Sequence, residues 1–225
     1  MKRKPVFAAL ATALLVAGCQ SQPKVSPSGF LSQEYYSQLQ SVTSPDDQVV
    51  FRYISPDFNA NDYSHAIVEK VVAYPEPQPT EQVSMKTLVD IQNSITNVIR
   101  TGVGNVLEIT DKPGKGTLRM ETAITGVNVS DKSLAAYEYI PTALVAVELT
   151  KVAGIRDQEI RLYLETRVTD TYTGELMGAG IRELTGENLN NARQKLGVDD
   201  FDQALVVASE DLLSILLGVF DDTRK

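Results

Sequence analysis

The chain has almost no thiol, almost no imidazole and too little positive charge: 1 Cys, 1 His, and 21 Lys plus Arg against 29 Asp plus Glu in 225 residues. A lone cysteine makes neither an intrachain disulfide nor a cysteine-ligated metal site. A lone histidine, His65, finds no second imidazole with which to hold zinc. A formal charge of -8 leaves no electrostatic footprint for nucleic acid or anionic headgroups. The apolar stretch from Pro5 to Val16 is also short. A bilayer-spanning helix needs roughly 20 apolar residues, and this one stops at about a dozen.

What the N-terminus does have is a secretion signal in three parts. Lys2, Arg3 and Lys4 make a positive start, Pro5 to Val16 an apolar core, and Val16, Ala17 and Gly18 a small-residue run ahead of Cys19. The run resembles the lipobox of Gram-negative lipoproteins. That resemblance implies cleavage after Gly18, a diacylglyceryl group on the Cys19 thiol and a further acyl chain, such as palmitate, on its freed amine. Two or more chains hold a protein firmly where one holds it marginally. Gln20 stands where proteins kept in the inner membrane usually carry Asp, so the expected address is the outer membrane, facing the periplasm. Losing the cations Lys2, Arg3 and Lys4 takes the formal charge from -8 to -11. Membrane contact is therefore expected through lipid and not through a basic face. The expected organisation is a signal peptide over 1–18, lipidated Cys19 with a flexible tether over 19–28, and one globular domain over 29–225.

Apolar spacing predicts the elements of that domain. Leu31, Tyr35, Tyr36 and Leu39 repeat as a short helix would, and Val49 to Ile54 and Ala66 to Ala73 read as strands. Thr80 is the expected N-cap of a helix of about 20 residues with Met85, Leu88, Ile91, Ile95, Val98 and Ile99 on one face, stopped by Gly102 and Gly104. Val106 to Ile109 and Thr117 to Val129 straddle Lys112-Pro113-Gly114-Lys115-Gly116 and predict a hairpin with that turn at its tip. Pro141 to Val152 fits helix or strand. Glu159 to Thr169 alternates strictly, and Asp170 to Gly174 turns it into Leu176 to Leu184, a hairpin near the sheet centre. Asp199 or Asp200 caps a last helix with Phe201, Leu205, Ala208, Leu212, Ile215, Leu216 and Phe220 in one stripe. These elements predict an α+β two-layer sandwich, a mostly antiparallel sheet with two long helices packed on one face.

Ser28-Gly29-Phe30-Leu31 after a lipidated cysteine, Tyr53 with Pro56 and Tyr63 before a Val-rich strand, Pro113-Gly114 before Leu118-Arg119, and Thr169-Asp170 with Thr173-Gly174-Glu175 together resemble the domain-of-unknown-function family 3313. The likeness spans about residues 28 to 220. It implies an exported lipoprotein with no established activity and carries no catalytic residue over. The chain departs from the family pattern in having no Trp near the C-terminal helix.

Candidate chemistry is sparse. Ser64, Ser84 or Ser94 could join His65 in a nucleophilic arrangement, but no Gly-x-Ser-x-Gly elbow surrounds any of them. Asp57, Asn59 and Asn61 open like a calcium loop, yet Asp62 stands where glycine is needed and Val68 where the closing carboxylate belongs. Gly102-x-Gly104 lacks a third glycine and precedes a strand, and the Lys112 to Gly116 loop lacks the Lys-Ser/Thr ending of a phosphate loop. Asp170 and Glu175 read as turn chemistry, and Glu165 with Asp170 is the one acid pair worth testing as a hydrolase site. Glu210 and Asp211 read as a solvated helix face.

The expectation is a non-enzymatic outer-membrane lipoprotein without cofactor, metal or nucleic acid, structural or bound to another envelope protein. Tyr35, Tyr36, Tyr137, Tyr139, Tyr163 and Tyr172 are candidates to line that contact. The alternative is a binding module for a small apolar or lipid-like ligand held between helices and sheet, which demands an enclosed apolar pocket of roughly 300 Å³ or more.

Overall fold

A computed structural model describes residues 27–44, 47–77, 79, 83–131, 158–189 and 194–221. The signal segment, Cys19, most of the tether, Thr80, Tyr137, Tyr139 and the ambiguous Pro141 to Val152 stretch lie outside the described residues.

Among the described residues, eight strands form one sheet. In chain order the elements are α1 (Gln33–Gln38), β1 (Gln40–Thr43), β2 (Val49–Ile54), β3 (His65–Val68), β4 (Val72–Ala73), α2 (Met85–Gly104), β5 (Glu108–Ile109), β6 (Thr117–Asp131), β7 (Gln158–Asp170), β8 (Leu176–Thr185) and α3 (Asp202–Asp221). Across the sheet the order is β1-β2-β8-β7-β6-β3-β5, with β4 beside β6. The pairs β1–β2, β2–β8, β8–β7 and β7–β6 are antiparallel, while β3 runs parallel to both β5 and β6. The α+β sandwich with a mostly antiparallel sheet and two long helices against it is the observed architecture.

The β7–β8 hairpin sits at the centre as its alternation predicts. Ile160, Leu162 and Leu164 pack among the core residues beneath the helices, whereas Tyr163 joins a second cluster on the opposite face. Its turn closes on local chemistry. Asp170 Oδ1 accepts from the Tyr172 amide at 2.6 Å and the Thr173 amide at 3.1 Å, and Gly174 takes φ 78°, a left-handed conformation that glycine adopts without strain.

Three expectations are corrected. The segments around 106–109 and 117–129 do not form a hairpin. β3 lies between β5 and β6, with His65 opposite Glu108 on one side and Thr117 on the other. The Lys112 to Gly116 loop is thus a crossover connection, held where the Gly114 amide donates to Thr171 Oγ1 at 2.9 Å. The strand expected over 66–73 is broken into β3 and β4 at Glu69 to Val71, where the Val71 amide turns away to Thr96 Oγ1 at 3.0 Å. Finally, Gly102 and Gly104 do not stop α2 but belong to it. A Cβ at Gly102 would stand 3.0 Å from Leu212 Cδ2, so this glycine sets how closely α2 and α3 approach. Asn105 follows as the C-cap.

α2 begins at Ser84, whose hydroxyl accepts from the Thr87 amide at 3.0 Å. Its Leu88, Ile91, Ile95 and Ile99 are buried at three- and four-residue steps. Each such side chain contributes about 1.5–3 kcal/mol by leaving water. A 3-10 turn over Asp199–Phe201 leads into α3 without a side-chain cap, and Asp200 Oδ2 instead accepts from the Gly197 amide at 2.7 Å.

The face away from the helices is not bare. Phe30, Leu31, Tyr36 and Leu39 lie over Tyr163, Ala179 and Ile181. The Tyr36 hydroxyl donates to Glu165 Oε2 at 2.6 Å and accepts from the Ser28 amide at 3.0 Å. The first described residues are therefore fastened to the outer face of the sheet, opposite α2 and α3.

Candidate functional site

Period-2 alternation sends Val50, Arg52 and Ile54 of β2 toward the helices, while Phe51 and Tyr53 join the outer cluster. Opposite them on β8 stand residues with almost no side chain: Gly180 pairs with Arg52 and Gly178 with Ile54. An added Cβ at either would come no nearer than 3.4 Å to a strand carbonyl, so the sheet surface is low there for want of atoms and not because a neighbour fills the space. α3 passes above, presenting Ala208, Asp211, Leu212 and Ile215. Between them lies a cleft of about 270 Å³, partly open to solvent and walled mainly by apolar side chains from β2, β6, β7, β8, α2 and α3. Phe58, stacked on Tyr63 and edge-on to Phe220, lines it too.

Among the described residues, three charged ones line this cleft: Arg52, Arg182 and Asp211. Arg182 pairs with Asp211, whose side chain is only 3 % exposed. Asp211 Oδ1 finds no hydrogen-bond donor among the described residues. Arg52 is half-buried, and no carboxylate among the described residues pairs with it. With Arg182 paired to Asp211, the charged side chains that line the cleft among the described residues sum to one net positive charge, in a protein that is acidic as a whole.

Asp211 is a correction, since it is neither solvated nor unpartnered. α3 has two buried aspects, one against α2 and one over the sheet, and Asp211 faces the second. Glu210 remains exposed as expected.

The other candidates fall elsewhere. Ser64 Oγ lies 2.8 Å from His65 Nδ1, and His65 Nε2 is 3.6 Å from Glu108 Oε2, so serine, imidazole and carboxylate do stand in a row. They sit on the β3–β5 edge, with Glu108 79 % exposed and none of the three in the cleft lining. Ser84 serves as the α2 cap, and Ser94 lies within α2. Asn59 Oδ1 accepts from the Asn61 amide at 3.1 Å and the Asp57 amide donates to Ser55 Oγ at 3.2 Å, so in the 57–62 stretch the Asn59 side chain caps its own turn. No group of three or more His, Cys, Asp or Glu is placed to hold a metal among the described residues.

Glu165 and Asp170 do not converge. Glu165 is buried under Tyr36 on the outer face, whereas Asp170 Oδ2 accepts from the Tyr63 hydroxyl at 2.8 Å. Burial works against ionisation of Asp170, but the Thr173 and Tyr172 amides and Tyr63 outweigh it and hold its carboxyl below the usual range. Of the tyrosines expected to line a partner surface, Tyr163 is buried, Tyr36 is tied to Glu165 and Tyr172 is 71 % exposed at the hairpin tip. Burial pushes the Tyr163 hydroxyl well above its ordinary pKa.

The sequence did carry a signal for the cleft: two glycines two apart, at 178 and 180, inside an otherwise regular strand. Glycine there weakens a strand and marks a place kept free of side chains.

Comparison with known proteins adds an identity but no activity. The family described as "Protein of unknown function (DUF3313)" matches residues 26–212. The chain belongs to this family. A relative in Escherichia coli (strain K12), named "Uncharacterized lipoprotein YdcL", is 31 % identical over 201 residues, covering 88 % of this chain and 89 % of its own length. The chain is accordingly a lipoprotein of unknown function, held to a membrane by lipid. Solved structures with some likeness include protein XCC0632 from Xanthomonas campestris, of family DUF330, at 12 % identity and TM-score 0.39, covering 76 % of this chain and 94 % of that one. Another is the PelC dodecamer from Paraburkholderia phytofirmans, at 11 % identity and TM-score 0.35, covering 76 % and 95 %.

Proposed function

We propose that this lipoprotein is a non-enzymatic binding module of the cell envelope, fastened by acyl chains on Cys19 to the outer membrane and facing the periplasm. It holds a small apolar ligand in the cleft under α3. The observation that carries this reading is the cleft itself. At about 270 Å³ it is nearly twice the 150 Å³ apolar cavity that stays dry and takes up benzene, which makes room for about ten carbon atoms. Its size is close to the 300 Å³ at which ligand pockets commonly begin. Water in such a space finds few polar partners, so an apolar chain displaces it favourably.

The test is a calorimetric titration with decan-1-ol of the unacylated mature chain starting at Gln20, which retains every contact described above. Saturable binding that disappears in Gly180→Leu, whose side chain fills the cleft, is the expected result. No binding to the folded wild type refutes the reading. The anchor has its own test: an intact mass showing a chain that begins at Met1 without acyl groups overturns it.

A second reading, contact with another envelope protein, draws on Val206 and Leu217 of α3, which are 51 % and 42 % exposed. By length and composition α3 could cross a bilayer, but its buried pair with Arg182 and its packing on α2 are those of a domain helix. Crosslinking in intact cells from these two positions distinguishes a protein neighbour from none.

A further inference from the structure

We propose that the ligand of this cleft is a single acyl chain bearing a carboxylate, of the fatty-acid type, whose head is bound by Arg52. This rests on the apolar-ligand reading above and adds the head group and the residue that selects it.

Arg52 stands on the helix-facing side of β2 beside Gly180, half-buried, with no carboxylate among the described residues opposite it. A guanidinium brought partly out of water onto an apolar wall is unfavourable unless an anion joins it, and its planar fork matches a carboxylate with two parallel hydrogen bonds. Arg182 does not compete for that anion, because Asp211 already balances it. Among the described residues the lining sums to one positive charge, which a monoanion neutralises. A phosphate monoester, carrying about −1.5 to −2 near neutral pH, would leave excess negative charge beside buried Asp211. The volume admits about ten carbons, which suits one chain and is too small for two. The polar and apolar parts adjoin in a consistent way. Beside Arg52 the floor is bare at Gly178 and Gly180, and it continues to Met177, Leu164 and Ile95, where a chain would lie.

The experiment titrates the unacylated mature chain, wild type and Arg52→Gln, with decanoate, decan-1-ol and decyl phosphate. We expect wild type to bind decanoate at least about ten-fold more tightly than decan-1-ol, the factor that one charge-assisted hydrogen bond supplies. Arg52→Gln should abolish that preference, so that decanoate binds it no more tightly than decan-1-ol does. Arg52→Lys, which keeps the charge but not the fork, should retain part of it. Equal binding of decanoate and decan-1-ol overturns the head-group assignment and leaves the apolar-ligand reading standing. A preference that survives in Arg52→Gln overturns the role of Arg52, and tighter binding of decyl phosphate overturns the choice of carboxylate. If no probe binds wild type, both readings fall together.

Discussion

Removing the carboxylate of Asp211 should be among the most damaging single changes in the protein. Asp211 is 3 % and Arg182 17 % exposed at the side chain, so the ion pair replaces water that both groups have lost. Desolvation of such a pair is roughly repaid by mutual attraction, but removing the carboxylate leaves the Arg182 charge buried without its ion-pair partner, at about 3–5 kcal/mol. Asp211→Asn is nearly isosteric, which keeps the cleft wall in shape and isolates the charge. For a domain of about 150–250 residues each kcal/mol moves Tm by about 2–4 °C, so the expected loss is roughly 6–20 °C. Scanning calorimetry and urea denaturation of the mature chain measure it. The second half of the prediction is the more discriminating. Arg182→Met with Asp211→Leu replaces both charges by apolar groups of similar size, and such replacements are commonly neutral or stabilising. The double variant should therefore be markedly more stable than Asp211→Asn and close to wild type. If Asp211→Asn lies within about 1 kcal/mol of wild type, the reasoning is wrong, because the carboxylate then has other solvation.

Three further outcomes follow from individual contacts. Gly102→Val places its side chain against Leu212, already 3.0 Å from where a Cβ would stand, and should destabilise by about 1–3 kcal/mol in urea titrations, with partial recovery on adding Leu212→Ala. Tyr36→Phe leaves buried Glu165 without its hydroxyl donor, and the loss of about 1.5–3 kcal/mol should appear as faster amide exchange over residues 28–39 before the sheet itself exchanges. The hydrogen bonds from Arg167, set against a smaller effect of burial, hold the Glu121 carboxyl below its ordinary value of 4.5, so its contribution is present above that pH and is lost as pH falls through the lowered value. Arg167→Met should accordingly flatten the acid limb of a Tm-against-pH curve below about pH 4.5, and an unchanged limb would falsify that linkage.

Local chemistry was readable in the chain wherever it decided the structure locally. The β7–β8 hairpin follows from strict alternation joined by Asp170 and Gly174, and α2 from apolar residues at helical spacing, though its cap proved to be Ser84. The failures share one cause, which is that a partner distant in sequence won. Val106 to Ile109 and Thr117 to Val129 look like a hairpin across Pro113-Gly114, but β3 offers backbone groups to both segments and is inserted between them. Gly102 reads as a stop until Leu212 approaches it from 110 residues further on. Asp211 reads as solvated because a single-stripe view of α3 does not foresee a second buried side, or an arginine on β8 waiting there. Arg52 gave no sign of itself either, since one arginine in a strand is ordinary until its face, its neighbours and its missing counter-ion are known.

The most direct test of an apolar cleft that serves as a binding site is to look for what it holds in the cell. The lipidated protein, purified from envelopes and exchanged into a detergent whose tails are too bulky for the cleft, is extracted with organic solvent and its extract weighed by mass spectrometry beside that of Gly180→Leu. The account predicts one single-chain fatty acid per wild-type chain and none from the filled variant; equal extracts from the two, or none from either, would contradict it.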